Sequence, residues 1–179
     1  NQHGKPLVVM DPLGRQTTNS YDDADRLLRT VNPEGDAVEY QYDVRGNVTR
    51  ECRISKTATP TGRSCDPLQD LVTTTTYMEG PTVWTCVNAK ICNKPATVVD
   101  PKGIMTQYTW SAAHGQVLTE TKGLNSSGVC QLAGGVCPVI TYGYTSFTGT
   151  DSAVFYLLTS KQDKIDATTT TTTTWGYAS

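Results

Sequence analysis

A turn motif that returns at a fixed spacing constrains this chain more than any other feature. Asp11-Pro12-Leu13-Gly14 recurs as Asn32-Pro33-Glu34-Gly35 after 21 positions, and Tyr21-Asp22 recurs as Tyr42-Asp43 at the same interval. A third copy opens at Asp100-Pro101-Lys102-Gly103. In all three an aromatic residue (Tyr21, Tyr42 or Trp110) falls ten positions after the first residue of the turn. A small turn and an apolar strand start follow each aromatic: Ala24-Asp25-Arg26-Leu27-Leu28, Arg45-Gly46-Asn47-Val48 and, with one extra residue, His114-Gly115-Gln116-Val117-Leu118. The approach to the turn repeats too, as Lys5-Pro6-Leu7-Val8-Val9-Met10 and Lys94-Pro95-Ala96-Thr97-Val98-Val99. A unit this short cannot bury an apolar face alone, so neighbouring units must stack.

The local chemistry of the unit predicts a chain of hairpins. Proline at the second turn position presets φ, and glycine at the fourth relieves the exit. Beyond the turn the side chains alternate: Val38, Tyr40 and Tyr42 share one face, with Glu39 and Gln41 on the other. Thr106, Tyr108 and Trp110 repeat that pattern in the third copy. Period two with aromatics on one side predicts a strand whose aromatic face rests on a core. Each unit is then two strands and two turns. Composition agrees, with 30 Thr, 15 Gly, 9 Tyr and 9 Pro, because β-branched and aromatic residues suit a pleated surface that Gly and Pro punctuate. The expected fold class is all-β, an antiparallel twisted sheet with almost no helix. Asp22–Thr30 is the nearest thing to a helical stretch, and Tyr21-Asp22 places it in the repeat turn. At 179 residues the chain fits a single domain over residues 1–179.

Six cysteines fall in three sequence-local couples, Cys52 and Cys65, Cys86 and Cys92, Cys130 and Cys137. None forms Cys-x-x-Cys, and neither His3 nor His114 is near a couple, which disfavours tetrahedral zinc. Disulfides fit better and point to an oxidising compartment. The chain opens at Asn1 without Met or a leader pattern, the expectation for a mature or excised segment. A net charge of -2 and a pI near 5.6 argue against nucleic-acid binding. No run approaches the roughly eighteen apolar residues of a spanning helix, so no membrane insertion is expected. No Gly-x-Ser-x-Gly or phosphate-cradling glycine loop is present, and His114 sits in a repeat turn. No catalytic residue, metal or cofactor is therefore expected.

The pattern of Tyr-Asp, a short turn, Arg-Leu or Asn-Val, then Asn/Asp-Pro-x-Gly resembles the YD repeat of Rhs proteins, which also occurs in insecticidal toxin complexes and teneurins. The resemblance is clearest over residues 6–51 and 94–120 and degenerate over 52–93 and 121–179, where Tyr77, Tyr142, Tyr144, Trp175 and Tyr177 stand in for repeat aromatics. It implies a long spiralling β-sheet, often a hollow shell around a cargo, in secreted or surface-displayed proteins, some proposed to bind glycans. The cysteines depart from the family pattern, and each couple brackets an insertion: Arg53–Ser64 with Pro60-Thr61-Gly62, Val87–Ile91, and Gln131–Val136 with Gly134-Gly135. Reading these as lengthened hairpin tips, with facing cysteines on neighbouring strands, predicts the disulfides Cys52–Cys65, Cys86–Cys92 and Cys130–Cys137, each contributing on the order of 2–3 kcal/mol.

The family's self-cleaving segment, Pro-x-x-x-x-Asp-Pro-x-Gly-Leu, is approached by Pro6 to Gly14 followed by Arg15, and by Pro95 to Gly103 followed by Ile104. Further repeat follows both. The sequons Asn47-Val48-Thr49 and Asn125-Ser126-Ser127 arise often by chance, and the Thr168–Thr174 run reads as an edge strand of poorly specified register. The expected function is non-catalytic: a structural module, secreted, extracellular or on the cell surface, building a shell wall or a self-associating fibre. Its expected partners are copies of itself, head to tail, or adjoining repeats of a longer parent chain. An adhesion or glycan-binding module, with Tyr21, Tyr42, Tyr108 and Trp110 as stacking platforms, is the alternative. A fragment of an autoproteolytic toxin-delivery protein is the second alternative.

Overall fold

A computed structural model describes residues 3–56, 63–132 and 134–177. The expected tip at Pro60-Thr61-Gly62 lies outside the described residues. Among those described there is no helix, and the fold is all-β and antiparallel. The chain forms two compact units, Asn1–Thr75 with Pro81–Trp84, and Thr76–Gly80 with Thr85–Ser179.

In the first unit β1 (Val8–Met10), β2 (Gln16–Tyr21), β3 (Leu27–Val31), β4 (Ala37–Tyr42), β5 (Val48–Ile54) and β6 (Leu71–Tyr77) form a meander, each strand paired with the next. The last two residues of β6 count with the second unit. There β7 (Pro95–Val99), β8 (Met105–Trp110), β9 (Val117–Leu124), β10 (Val139–Thr148), β11 (Val154–Lys164) and β12 (Thr170–Thr174) make another meander.

The turns explain this regularity. Asp11 accepts the amides of Leu13 and Arg15 on one carboxylate oxygen, at 2.9 and 3.0 Å. Asp22 does the same for Ala24 and Arg26, Asp43 for Arg45 and Asn47, Asp100 for Lys102 and Ile104, and Asn125 for Ser127 and Val129. In each the residue three positions on donates its N–H to the backbone carbonyl of the opening residue. That fourth residue has positive φ: Gly14 78°, Asp25 59°, Gly46 89°, Gly103 77°, Gly128 78°. Glycine adopts this conformation freely and Asp tolerates it better than most. The turn after each Tyr-Asp is therefore the same device as the turn at each Asp-Pro-x-Gly. A 21-residue unit is two strands, each ended by one such turn.

One expectation about the core is corrected. The buried hydrophobic residues of the first unit are Ala37, Cys52 and Ile54, packed with Val31, Val72 and Cys65. Val31 pairs with Ala37, Ala37 with Ile54, and Cys52 with Val72, so these residues share the face opposite Val38, Tyr40 and Tyr42. In the second unit Met105, Leu124 and Cys137 cluster with Val99 and Cys130, again opposite Tyr108 and Trp110. A meander has no second layer of its own. The face that becomes dry is the one a disulfide-pinned loop folds over.

That cover is held by charge as well as sulfur. Arg63 grips Asp70 with two hydrogen bonds, at 2.7 and 2.6 Å, and Asp70 also accepts the amides of Asp66 and Ser55. Arg29 bonds Glu39 on the sheet and the carbonyl of Arg63 in the loop, while Arg50 reaches Cys65 Sγ at 2.9 Å. The Arg63 guanidinium, against the opposing effect of burial, holds the Asp70 carboxyl down to about 2. The group's ordinary value is 3.8, so its stabilisation is complete above 3.8 and drains away as the pH falls toward 2. Urea titrations should show this acid loss in the native chain and a weaker one in Asp70→Asn, which begins less stable by about 2 kcal/mol. Parallel acid profiles for the two proteins would refute the assignment.

Candidate functional site

The residues with the clearest repeating chemistry lie on the aromatic face. Tyr21 Oη donates to the carbonyl of Pro6, Tyr42 Oη to that of Leu27, and Trp110 Nε1 to that of Pro95, each across 15 residues, at 3.2, 2.7 and 2.7 Å. The acceptor stands five positions before the opening residue of the turn, so each ring ties the strand leaving the turn to the start of the strand entering it. The pairing shifts immediately before each of these rings, between Ser20 and Tyr21, Gln41 and Tyr42, and Thr109 and Trp110. A bulge there re-aims the side chain.

A cation covers two of the rings. The Arg26 guanidinium lies 4.8 Å from the Tyr42 ring centre, and Lys94 Nζ lies 5.1 Å from that of Trp110. Arg26 also bonds Asp22 through Nε at 2.6 Å and the carbonyl of Asp43 through Nη1 at 3.0 Å. One guanidinium thus joins two successive Tyr-Asp turns and the Tyr42 ring. Tyr40 and Tyr42 are 6.5 Å apart, and Tyr108 stacks on Trp110 at 6.1 Å. Burial, followed by the Tyr40 phenol, raises the Tyr42 hydroxyl above its ordinary pKa; burial and then the Glu120 carboxylate do the same for Tyr108. All four repeat aromatics are half-buried.

The structure joins Cys52 to Cys65, Cys86 to Cys92 and Cys130 to Cys137, with Cα separations of 6.2, 5.5 and 5.4 Å. Their setting differs from facing strands. Only Cys52 lies in a strand; Cys130 makes an isolated bridge to Leu124, and Cys86 and Cys92 both lie in the loop between β6 and β7. A loop drawn over the sheet closes a face that a hairpin extending beyond it would leave open. Two groups, Cys52, Cys65 and Asp70, and Glu79, Cys86 and Cys92, bring ligand-type atoms within 4.8 Å. In both, the sulfurs are bonded to each other, Asp70 is held by Arg63, and Glu79 accepts the amides of Val87 and Asn88.

The turn residues serve the turns. Asn32 donates through Nδ2 to Asp36, and its carbonyl accepts from Gly35, as those of Asp11 and Asp100 accept from Gly14 and Gly103. Pro12, Pro33 and Pro101 occupy the second positions. Of the two sequons, Asn47 has Nδ2 bound to Asp43 at 2.8 Å, and Asn125 opens a turn.

The RHS Repeat family model matches residues 1–37 and 21–51, two overlapping stretches over β1 to β5. Over residues 1–51 the chain is similar to the RHS repeat. No curated protein matches the chain in a sequence comparison. The third unit, beyond the matched residues, keeps their turn, ring and carbonyl in the same relation. The RHS repeat is a structural repeat, and the three disulfides fit an oxidising environment.

Sequence reasoning missed the cation. Its signal was available: Lys5, Arg26 and Lys94 all stand six positions before a turn, aligned with one another. Removing the Tyr42 hydroxyl in Tyr42→Phe should cost about 1 kcal/mol, the value of one hydrogen bond, and Arg26→Ala about 2 kcal/mol, because it loses contacts to two turns and a ring. Urea unfolding measures both; a neutral Arg26→Ala would remove that residue's assigned role.

Proposed function

We propose that the chain is a non-catalytic structural module of a secreted or surface Rhs-type protein, building a β wall or fibre through repeat and edge-strand packing. One observation carries this reading. The residues that define the repeat are consumed in holding strand to strand: ring to carbonyl, carboxylate to amide, cation to ring. A residue spent in this way is a building element. The same observation weighs against the glycan platform, since Tyr42 and Trp110 have one face under a cation and a polar tip already bonded. It also weighs against the self-cleaving segment, because Asp11–Gly14 and Asp100–Gly103 are ordinary turns with strands on both sides.

Edges supply the means of assembly. In the first unit β1 pairs only with β2 among the described strands, and Leu7, Val8, Val9 and Met10 are each about half exposed. In the second unit β12 pairs only with β11 among the described strands, and all five of its threonines are exposed. Backbone groups on such edges favour pairing with another strand. A copy of the chain, head to tail, or adjoining repeats of a longer parent would complete them, and a contact that does not close on itself gives a fibre. The expected outcome in light scattering is concentration-dependent assembly that disappears when Thr168–Ser179 are deleted, with the first unit still folded by circular dichroism. A stable monomer at high concentration would refute self-assembly.

A further inference from the structure

His114, in the third unit's lengthened turn, lines a groove of about 410 Å³ in the second unit. Lys90 reaches it from the loop between β6 and β7, His114 and Gln116 from the turn between β8 and β9, and Val154, Phe155 and Tyr156 from β11. The His114 ring stacks on Tyr156 at 4.4 Å and meets Tyr144 at 4.9 Å. Its Nδ1 accepts the Gln116 amide at 3.3 Å, so a neutral imidazole carries its proton on Nε2, a donor. Lys90 Nζ donates to the Ala113 carbonyl and keeps two further N–H donors. Gln116 Nε2 is tied to the Tyr156 carbonyl at 3.3 Å, whereas its buried Oε1 has no hydrogen-bond partner among the described residues. Val154, on the same face of β11 as Tyr156, is 55% exposed and leaves an uncovered apolar wall.

The groove lining thus contains cationic and neutral donors, no carboxylate, one orphan amide oxygen and an apolar wall. We propose that it binds the C-terminus of a peptide ending in an apolar residue. The terminal carboxylate takes the hydrogens of Lys90 Nζ and His114 Nε2, and the apolar side chain lies on Val154. The N–H of the last peptide bond goes to Gln116 Oε1, for which the amide releases the Tyr156 carbonyl and turns toward the groove. A charge-assisted contact to a carboxylate is the strongest available to this donor set, and capture of a C-terminal carboxylate is an established mode of peptide recognition. A free apolar acid shares the carboxylate and the apolar group but lacks the N–H. This inference does not depend on assembly.

The test is an NMR titration of the intact, oxidised chain with N-acetyl-Ala-Phe, with the same dipeptide as its C-terminal amide, and with 3-phenylpropionate. The expected result is saturable binding of the free acid peptide, with shifts at residues 90, 114–116 and 154–156. The amide and 3-phenylpropionate should each bind about tenfold or more weakly, the loss of one charge-assisted or one buried hydrogen bond. Lys90→Gln should weaken the acid peptide by about tenfold. Val154→Asp, on the exposed rim where folding is unaffected, should do the same by placing a carboxylate against the ligand's own. Absence of saturable binding, equal binding of acid and amide, or native affinity in Val154→Asp would overturn the site; equal binding of 3-phenylpropionate would overturn the peptide.

Discussion

Strands β2, β3, β5 and β8 each depend on a carboxylate accepting two backbone amides at the turn before it. The carboxylate of Asp11, Asp22, Asp43 or Asp100 satisfies the N–H groups that a reversing chain would otherwise leave to water, and it fixes where the next strand starts. Hydrogen bonding to the ionised form in turn pulls Asp11 and Asp22 below the usual carboxylate range, led by the Arg15 side chain in one and the Arg26 amide in the other. Once the turn fixes the register, the ring ten positions on meets a carbonyl 15 positions back. The aromatic tie is a consequence of the turn.

Much of this was legible in the amino acids. Gly14, Gly35, Gly46 and Gly103 announce positive φ, and the alternation of Val38, Tyr40 and Tyr42 announces a strand. The strand order follows because hairpin connections this short leave antiparallel neighbours as the simplest arrangement. The identity of the two turn types was less visible, because Asp25 stands in one of them where glycine stands in the others. Its positive φ is a backbone fact that spacing alone does not reveal.

The core was placed on the wrong face for a physical reason. Aromatic residues carry the largest apolar area, so a period-two pattern naturally assigns them to the interior. Here Tyr21, Tyr42 and Trp110 each carry a polar atom that must reach a carbonyl, and a cation covers two of the rings, which keeps that face half wet. Ala37, Cys52 and Ile54 are small enough to lie flat beneath a loop, and the loop follows only because Cys65, Arg63 and Asp70 hold it there. Nothing in the period of a strand encodes the path of an insertion. The His114 groove was illegible for the same reason: it joins a loop, a turn and a strand that are far apart in sequence.

The threonine strand shows how register is set when the side chains themselves specify none. Thr170 to Thr174 pair with Lys164 to Ser160, and sliding five identical residues by two positions would present the same faces. The anchors therefore stand outside the run. At one end Asp166 accepts the amides of Thr168 and Thr169, and these contacts hold its carboxyl at about 2. At the other the Trp175 amide bonds the carbonyl of Thr159, and Tyr177 Oη reaches that of Leu158 while its ring meets Phe147 edge-on. These are the repeat's own devices, a carboxylate-capped turn and a ring tied to a carbonyl, retained where the intervening sequence has degenerated. Between them the strand contributes only backbone and small hydroxyls. Its outer edge pairs with no other described strand.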